Sequence, residues 1–168
     1  MPECIAEPLS RNDIRRKADV IRVVEGCTGS LYFDIIHFIE ITLPKIDDDF
    51  SFVVKSKSEL GECHGLTFPE RNEMQIREDV YNRACNGSGR DRLTIAHELF
   101  HLLQHTMENI SFARSDGGVK TYMSPEWQAD AFGGELLIPH DLIQGMTPEE
   151  ISEKCKVSLS AAKCQMSK

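Results

Sequence analysis

The chain has 168 residues, 40% hydrophobic and 27% charged, the balance of a soluble globular protein of about one domain. Lys and Arg number 19 against 27 Asp and Glu, and the formal net charge of −8 argues against nucleic acid or an acidic membrane surface as main ligand. No run approaches the ~18 apolar residues a bilayer-spanning helix needs. Residues 1–8 lack the basic and apolar regions of a secretion signal, and six scattered cysteines without a C-x-x-C pair point to free thiols in a reducing cytoplasm.

Ser10, Arg11, Asn12 and Asp13 can cap a helix whose apolar members Ile14, Ala18, Ile21 and Val24 recur every three or four residues, until Gly26 ends it. A second helix is predicted over 31–43, stopped by Pro44, with Asp47-Asp48-Asp49 as a turn. Strands are predicted over 50–55, 62–68 and 73–78, the last two joined through Pro69-Glu70-Arg71-Asn72 as a hairpin. After Asn86-Gly87-Ser88-Gly89 a helix is predicted from 91 to about 106, with Leu93, Ala96, Phe100 and Leu103 as its apolar stripe. A polar loop through Asp116-Gly117-Gly118 leads to a helix with Ser124 at the N-cap and Pro125 at its first position, ending before Pro139. Residues 147–168 predict two short helices broken around Lys156-Val157-Ser158, and from Asp141 onward four acidic and four basic residues balance. The chain thus reads as one domain over 1–146 with 147–168 as a short tail packed on it.

His97-Glu98-Leu99-Phe100-His101 carries the chemistry. On a helix, positions i and i+4 share one face, so both imidazoles can reach one metal ion. Glu98 sits about 100° round the helix, beside the metal, where it can take a proton from water. Two imidazoles, a carboxylate and an open position describe catalytic zinc. The pattern arises by chance in about 2% of shuffled sequences of this composition, and its place in an amphipathic helix with a clean start lowers that chance.

For the third ligand, His105 lies about 12 Å along the axis from His97, too far for a shared ion, and reads as a packing or supporting histidine. The position six residues past His101, where another zinc-protease pattern needs histidine, is Met107. Glu126, in the first turn of the next helix, is preferred; Glu135, nine residues deeper, is the competitor. Asp130, one turn past Glu126, can orient a ligand histidine or simply face solvent. Tyr81, Tyr122, His105 and His140 are candidate oxyanion donors, and either strand of the predicted hairpin can add an extended substrate. Cys63-His64 and His37 read as ordinary structural residues.

Residues 92–105, with Glu126-Trp127-Gln128-Ala129-Asp130-Ala131-Phe132, Leu136-Leu137-Ile138-Pro139 and upstream Tyr81-Asn82-Arg83-Ala84, resemble the ImmA/IrrE family of metallo-endopeptidases. With the elements above, the resemblance implies an α+β, zincin-like fold: N-terminal helices, a small three-stranded, largely antiparallel sheet, the HExxH helix packed on the glutamate-bearing helix, and a short helical tail. It implies a Zn2+ site of His97, His101 and Glu126 with Glu98 catalytic, in a cytoplasmic hydrolase of bacterial or phage origin. The implied partner is a DNA-binding repressor of a prophage, mobile element or stress regulon, cleaved by the enzyme. Phe100 departs from the family's usual glycine, a change for which Gly133-Gly134 could compensate on the facing helix. The tail resembles a degenerate helix-turn-helix, but its neutrality argues for packing over DNA binding. The alternative function is a non-hydrolytic, metal-stabilised toxin or repressor-binding module, which has no use for Glu98. Metal-dependent hydrolysis of a non-protein substrate is disfavoured by the resemblance alone.

Overall fold

The computed structural model describes residues 3–106, 109–113 and 118–168. Strand β1 (Glu3–Ala6) leads to helix α1 (Arg11–Glu25), where Ser10 and Asp13 form a reciprocal capping box and Gly26 closes the far end at φ 75°. Its buried members are Ile14, Ala18 and Arg22, whereas Val24 is exposed. Arg22 tolerates burial because its guanidinium donates to the carbonyls of Leu136 and Ser30.

The second predicted helix starts later and is interrupted. It comprises α2 (Ile35–His37), a π-helical turn (Phe38–Thr42) and α3 (Leu43–Ile46). Pro44 does not stop it, because the Leu43 N–H bonds to the Phe38 carbonyl, five residues back, so the wider turn absorbs the proline's missing donor.

Strand β2 (Ser51–Lys55) is followed by α4 (Lys57–Leu60), then β3 (Gly65–Phe68), a 3-10 turn (Pro69–Arg71) and β4 (Glu73–Arg77). The hairpin forms as expected, with Asn72 left-handed at φ 50°. The sheet order is β2-β4-β3, with β3 antiparallel to β4 and β2 parallel to it. The sheet is therefore mixed where a largely antiparallel one was expected, since the passage through α4 carries the chain from one edge of β4 to the other. β3 starts later than predicted because the turn that closes α4 runs on to Cys63, whose N–H bonds to the Leu60 carbonyl, and Glu78 already belongs to α5 (Glu78–Cys85), a helix the sequence patterning did not reveal.

Helix α6 (Gly89–Gln104) is central, packing on α5, β3, β4 and α7 (Pro125–Leu137). Its buried residues are Asp91, Arg92, Ile95, Ala96, Leu99, Phe100 and Leu102, so Ala96 and Phe100 of the predicted stripe are buried and Leu93 packs against the core, but Leu103 is exposed. Arg92 tolerates burial because it donates to the carbonyls of Phe33, Cys155 and Lys156, the latter two closing α8 (Pro148–Cys155). Ser124 and Pro125 begin α7 as predicted. Strand β5 (Ile110–Ala113) pairs antiparallel with β1, a second sheet the patterning did not anticipate. Met107 and the predicted loop at Asp116 and Gly117 lie outside the described residues.

Lys156, left-handed at φ 52°, breaks α8 from α9 (Leu159–Met166) where a break was predicted. Ile151, Cys155, Val157 and Ala162 belong to the same buried cluster as Ile14, Phe38, Met74, Leu99 and Phe132. Gly89 lets this segment close in: a Cβ there would stand 2.6 Å from the Val157–Ser158 backbone. The six cysteines are unpaired, and no helix among the described residues is long and apolar enough to cross a membrane.

Candidate metal centre

Antiparallel packing of α6 and α7 brings His97, His101 and Glu126 together, one ligand atom from each lying within 4.8 Å of the others. Glu126 Oε2 is 3.1 Å from His97 Nε2, Glu126 Oε1 is 3.2 Å from His101 Nε2, and the two Nε2 atoms are 2.9 Å apart. Pro125 at the first position of α7 and the Ser124 cap put Glu126 in the first turn, so its carboxylate extends past the helix end toward α6.

Each histidine is oriented by its other nitrogen. His97 Nδ1 is 2.7 Å from Asp130 Oδ1, and His101 Nδ1 is 2.7 Å from His105 Nδ1. Burial opposes charge on His97, but Asp130 and Glu126 outweigh it and hold its pKa up at about 10. His101 and His97 hold the Glu126 carboxyl far below the usual carboxylate range. Burial pushes His105 down to about 4, so that ring is neutral at physiological pH. Two imidazole nitrogens and a carboxylate converging within 4.8 Å form a donor set that suits a divalent ion of borderline softness.

Glu98 points toward β3. Thr67 Oγ1 donates to Glu98 Oε2 at 2.6 Å and approaches the Glu98 carbonyl at 3.2 Å. Gly65 permits this contact, because a Cβ there would stand 2.9 Å from Glu98 Cγ. One carboxylate oxygen is thus anchored, while Oε1 has no hydrogen-bond partner among the described residues. A cleft of about 690 Å³ opens beside His97, Glu98 and Asp130 and reaches α9, lined in part by Leu93, Trp127, Ala131 and Ile138.

Other anticipated residues are placed elsewhere. Glu135 is no competitor for the centre: its fully buried carboxylate binds Arg11 at 2.7 Å and Arg15 at 3.0 Å. Tyr81 donates to Glu40 and packs its ring on Phe52, so the structure does not bring it to the cluster. His140 pairs with Asp141 and lines a separate cavity with Arg15 and Asp19. Tyr122 contributes its main chain, its carbonyl accepting from Gln128 Nε2 at 2.8 Å. Phe100 stacks on Phe132 with ring centroids 4.7 Å apart and meets the His105 ring edge-on. Gly133 does not make room for it, since a Cβ there would reach only ordinary contact with Leu93 and Ala96; Gly134 instead makes room for Gln165 of α9.

Thr67 and Gln128 are functional candidates that the motif reading missed. Gln128 had a faint signal, a polar residue sharing helical spacing with Ala131, Phe132 and Glu135 on the buried face of α7. Thr67 had none, because nothing local indicates that β3 lies against Glu98.

A mixed α+β scaffold presenting a helical His-Glu-x-x-His beside a small sheet, with a glutamate on the next helix, is the zincin-like class of metallopeptidase. Residues 52–167 match the Peptidase_M78 model, described as IrrE N-terminal-like domain, and the chain belongs to that family. No curated protein matches the chain.

Proposed function

We propose that the protein is a zinc-dependent endopeptidase that cleaves a partner protein, and that the partner is a DNA-binding repressor. The observation that carries the reading is the convergence of His97, His101 and Glu126 next to a glutamate anchored by Thr67. Zinc held there by the three side chains supplies Lewis acidity, polarising a carbonyl and acidifying the attacking water. Glu98 takes the proton from that water at Oε1 and delivers it to the departing amine, while Thr67 keeps Oε2 fixed. Asp130 holds His97 in the orientation that turns Nε2 toward Glu126 and would present it to the metal.

The substrate lies extended. β4 is paired on both edges, so among the described residues β3 alone of the hairpin has an unpaired edge for strand addition, and it borders Glu98. The apolar lining of the cleft accepts a hydrophobic side chain next to the scissile bond. The −8 charge favours a basic partner, as DNA-binding proteins are, and the enzyme acts in the cytoplasm where such a partner works.

The test compares wild type, Glu98→Gln and Glu126→Ala, measuring zinc content and cleavage of the helix-turn-helix repressor encoded beside the gene by intact-mass spectrometry. Glu98→Gln is expected to keep zinc and lose about a hundredfold to ten-thousandfold in rate, the scale of general-base catalysis. Glu126→Ala is expected to lose zinc. Full cleavage by Glu98→Gln refutes the mechanism, and stoichiometric zinc in Glu126→Ala refutes the ligand set.

A further inference from the structure

We infer that Gln128 and His105 form a relay that sets the tautomer of His101, turning its Nε2 lone pair to the metal centre, and that the relay is anchored on the main chain of Tyr122 and of Glu7, the latter well before the family-matched residues. Its purpose rests on the metallopeptidase reading; its geometry does not.

Gln128 Nε2 lies 2.8 Å from the carbonyl oxygens of both Glu7 and Tyr122. Carbonyl oxygens only accept, so both amide hydrogens are engaged and the amide has one orientation; the reverse would set three oxygens against one another. Gln128 Oε1 therefore faces His105 Nε2, at 2.8 Å, and that nitrogen must carry the hydrogen. A neutral imidazole has a single N–H, which leaves the lone pair of His105 on Nδ1. His101 Nδ1 stands 2.7 Å away and must donate to it, so a neutral His101, the form that can ligate a metal, has its lone pair on Nε2, beside Glu126 and His97.

Each step has one solution, and little solvent competes with it: Gln128 is 0% and His105 4% exposed. The far end is held as firmly. The Tyr122 carbonyl also accepts from Leu9 N–H, and Glu7 N–H donates to the Asn109 carbonyl where β1 meets β5. The family match begins at residue 52, so a segment well before it orients a ligand in the centre. His97 is treated differently, for its orienting group is the exposed carboxylate of Asp130, whereas His101 relies on a buried chain of uncharged groups. Second-sphere partners of this kind typically govern tenfold to a hundredfold in metal affinity, on the order of the effects below.

Nitrogen-15 shifts of the histidine rings, read by long-range proton–nitrogen correlation, report which nitrogen carries hydrogen. In metal-free protein and in protein loaded with zinc alone, His105 is expected to carry hydrogen on Nε2 with a bare Nδ1, and zinc-loaded His101 to carry it on Nδ1. Hydrogen on His105 Nδ1 overturns the relay. Chelator competition gives the second readout. His105→Phe and Gln128→Met are expected to weaken zinc binding about tenfold to a hundredfold. His105→Asn, whose amide oxygen can accept from His101, is expected to restore most of the loss. Wild-type affinity in His105→Phe overturns the relay, and if a variant fails to fold, the ring pattern of the unaltered protein decides. None of these measurements needs a substrate. The expected ring pattern in a protein that cleaves nothing refutes the peptidase reading alone; cleavage by a protein with the opposite pattern refutes the relay alone.

Discussion

Thr67 shows how much of the chemistry hangs on a single hydroxyl. Its hydrogen bond to Glu98 fixes one carboxylate oxygen, and a hydrogen bond to a charged group contributes about 1.5–3 kcal/mol. Thr67→Val keeps the shape and removes the donor. We expect kcat/KM to fall about tenfold, roughly the lower end of that range, with zinc content unchanged. An unchanged kcat/KM in a zinc-replete variant would show that Glu98 needs no such anchor. The same position explains where sequence reasoning stops. His97, Glu98 and His101 could be read directly because helical geometry ties i, i+1 and i+4 together. Thr67 lies 31 residues from Glu98 on a different element, and no periodicity links them.

Helices α1 and α7 are joined by a buried ion pair, and this gives their packing a pH dependence. Burial raises the pKa of Glu135, but Arg15 and Arg11 outweigh it and leave the carboxyl below its ordinary 4.5. A carboxylate depressed in the folded state stabilises the fold above its unfolded pKa and loses that contribution as pH falls through the folded value. Thermal unfolding followed by circular dichroism should therefore show Tm dropping as pH is lowered from 5 toward 3. Glu135→Gln should flatten that drop and destabilise the protein by about 3–5 kcal/mol at neutral pH, the usual cost of removing one partner from a buried pair. An identical pH profile for the variant would exclude Glu135 as its source.

Elements whose ends are marked by caps were legible from local residues: Ser10 for α1 and Ser124 with Pro125 for α7, while the last two helices were read from the break around Lys156-Val157-Ser158 and the structure adds their caps, Thr147 and Ser158. The π turn before Pro44 was not, because a proline in isolation reads as a stop. The β1–β5 pair was not either, since strands 107 residues apart leave no hairpin signal in the sequence (Glu7 follows β1 and bonds Asn109 before β5). The apolar stripe of α6 was right at Ala96 and Phe100 and wrong at Leu103, and it gave no hint that Arg92 is buried. Three carbonyls from distant segments made that possible.

Taken together, the protein is an acidic body with an apolar cleft, a combination that separates how a partner arrives from how it is held. Charge attraction acts over about a Debye length, roughly 10 Å at 0.1 M salt, and weakens as salt rises. Hydrophobic contact in the cleft does not weaken in that way. We therefore expect kcat/KM for a basic repressor to decline steeply with sodium chloride between about 50 and 300 mM, chiefly through association, while kcat changes little. A rate indifferent to salt would remove charge as the reason for partner choice.

By itself, the sequence determined the α+β class, the capped starts of α1 and α7, the hairpin and the paired histidines with their glutamate. Those features are encoded within one or two turns of chain, where caps, periodicity and i,i+4 spacing act. The sequence preferred Glu126 to Glu135 and tertiary structure supplied the reason; tertiary structure alone decided that β3 lies on Glu98 and that Glu7 steadies Gln128 across 121 residues. Glu126 and Glu135 are alike in type and sit on one helix. What separates them is that Arg11 and Arg15 wait at the second position and two imidazoles at the first, and only the packing of α1 and α6 on α7 puts them there.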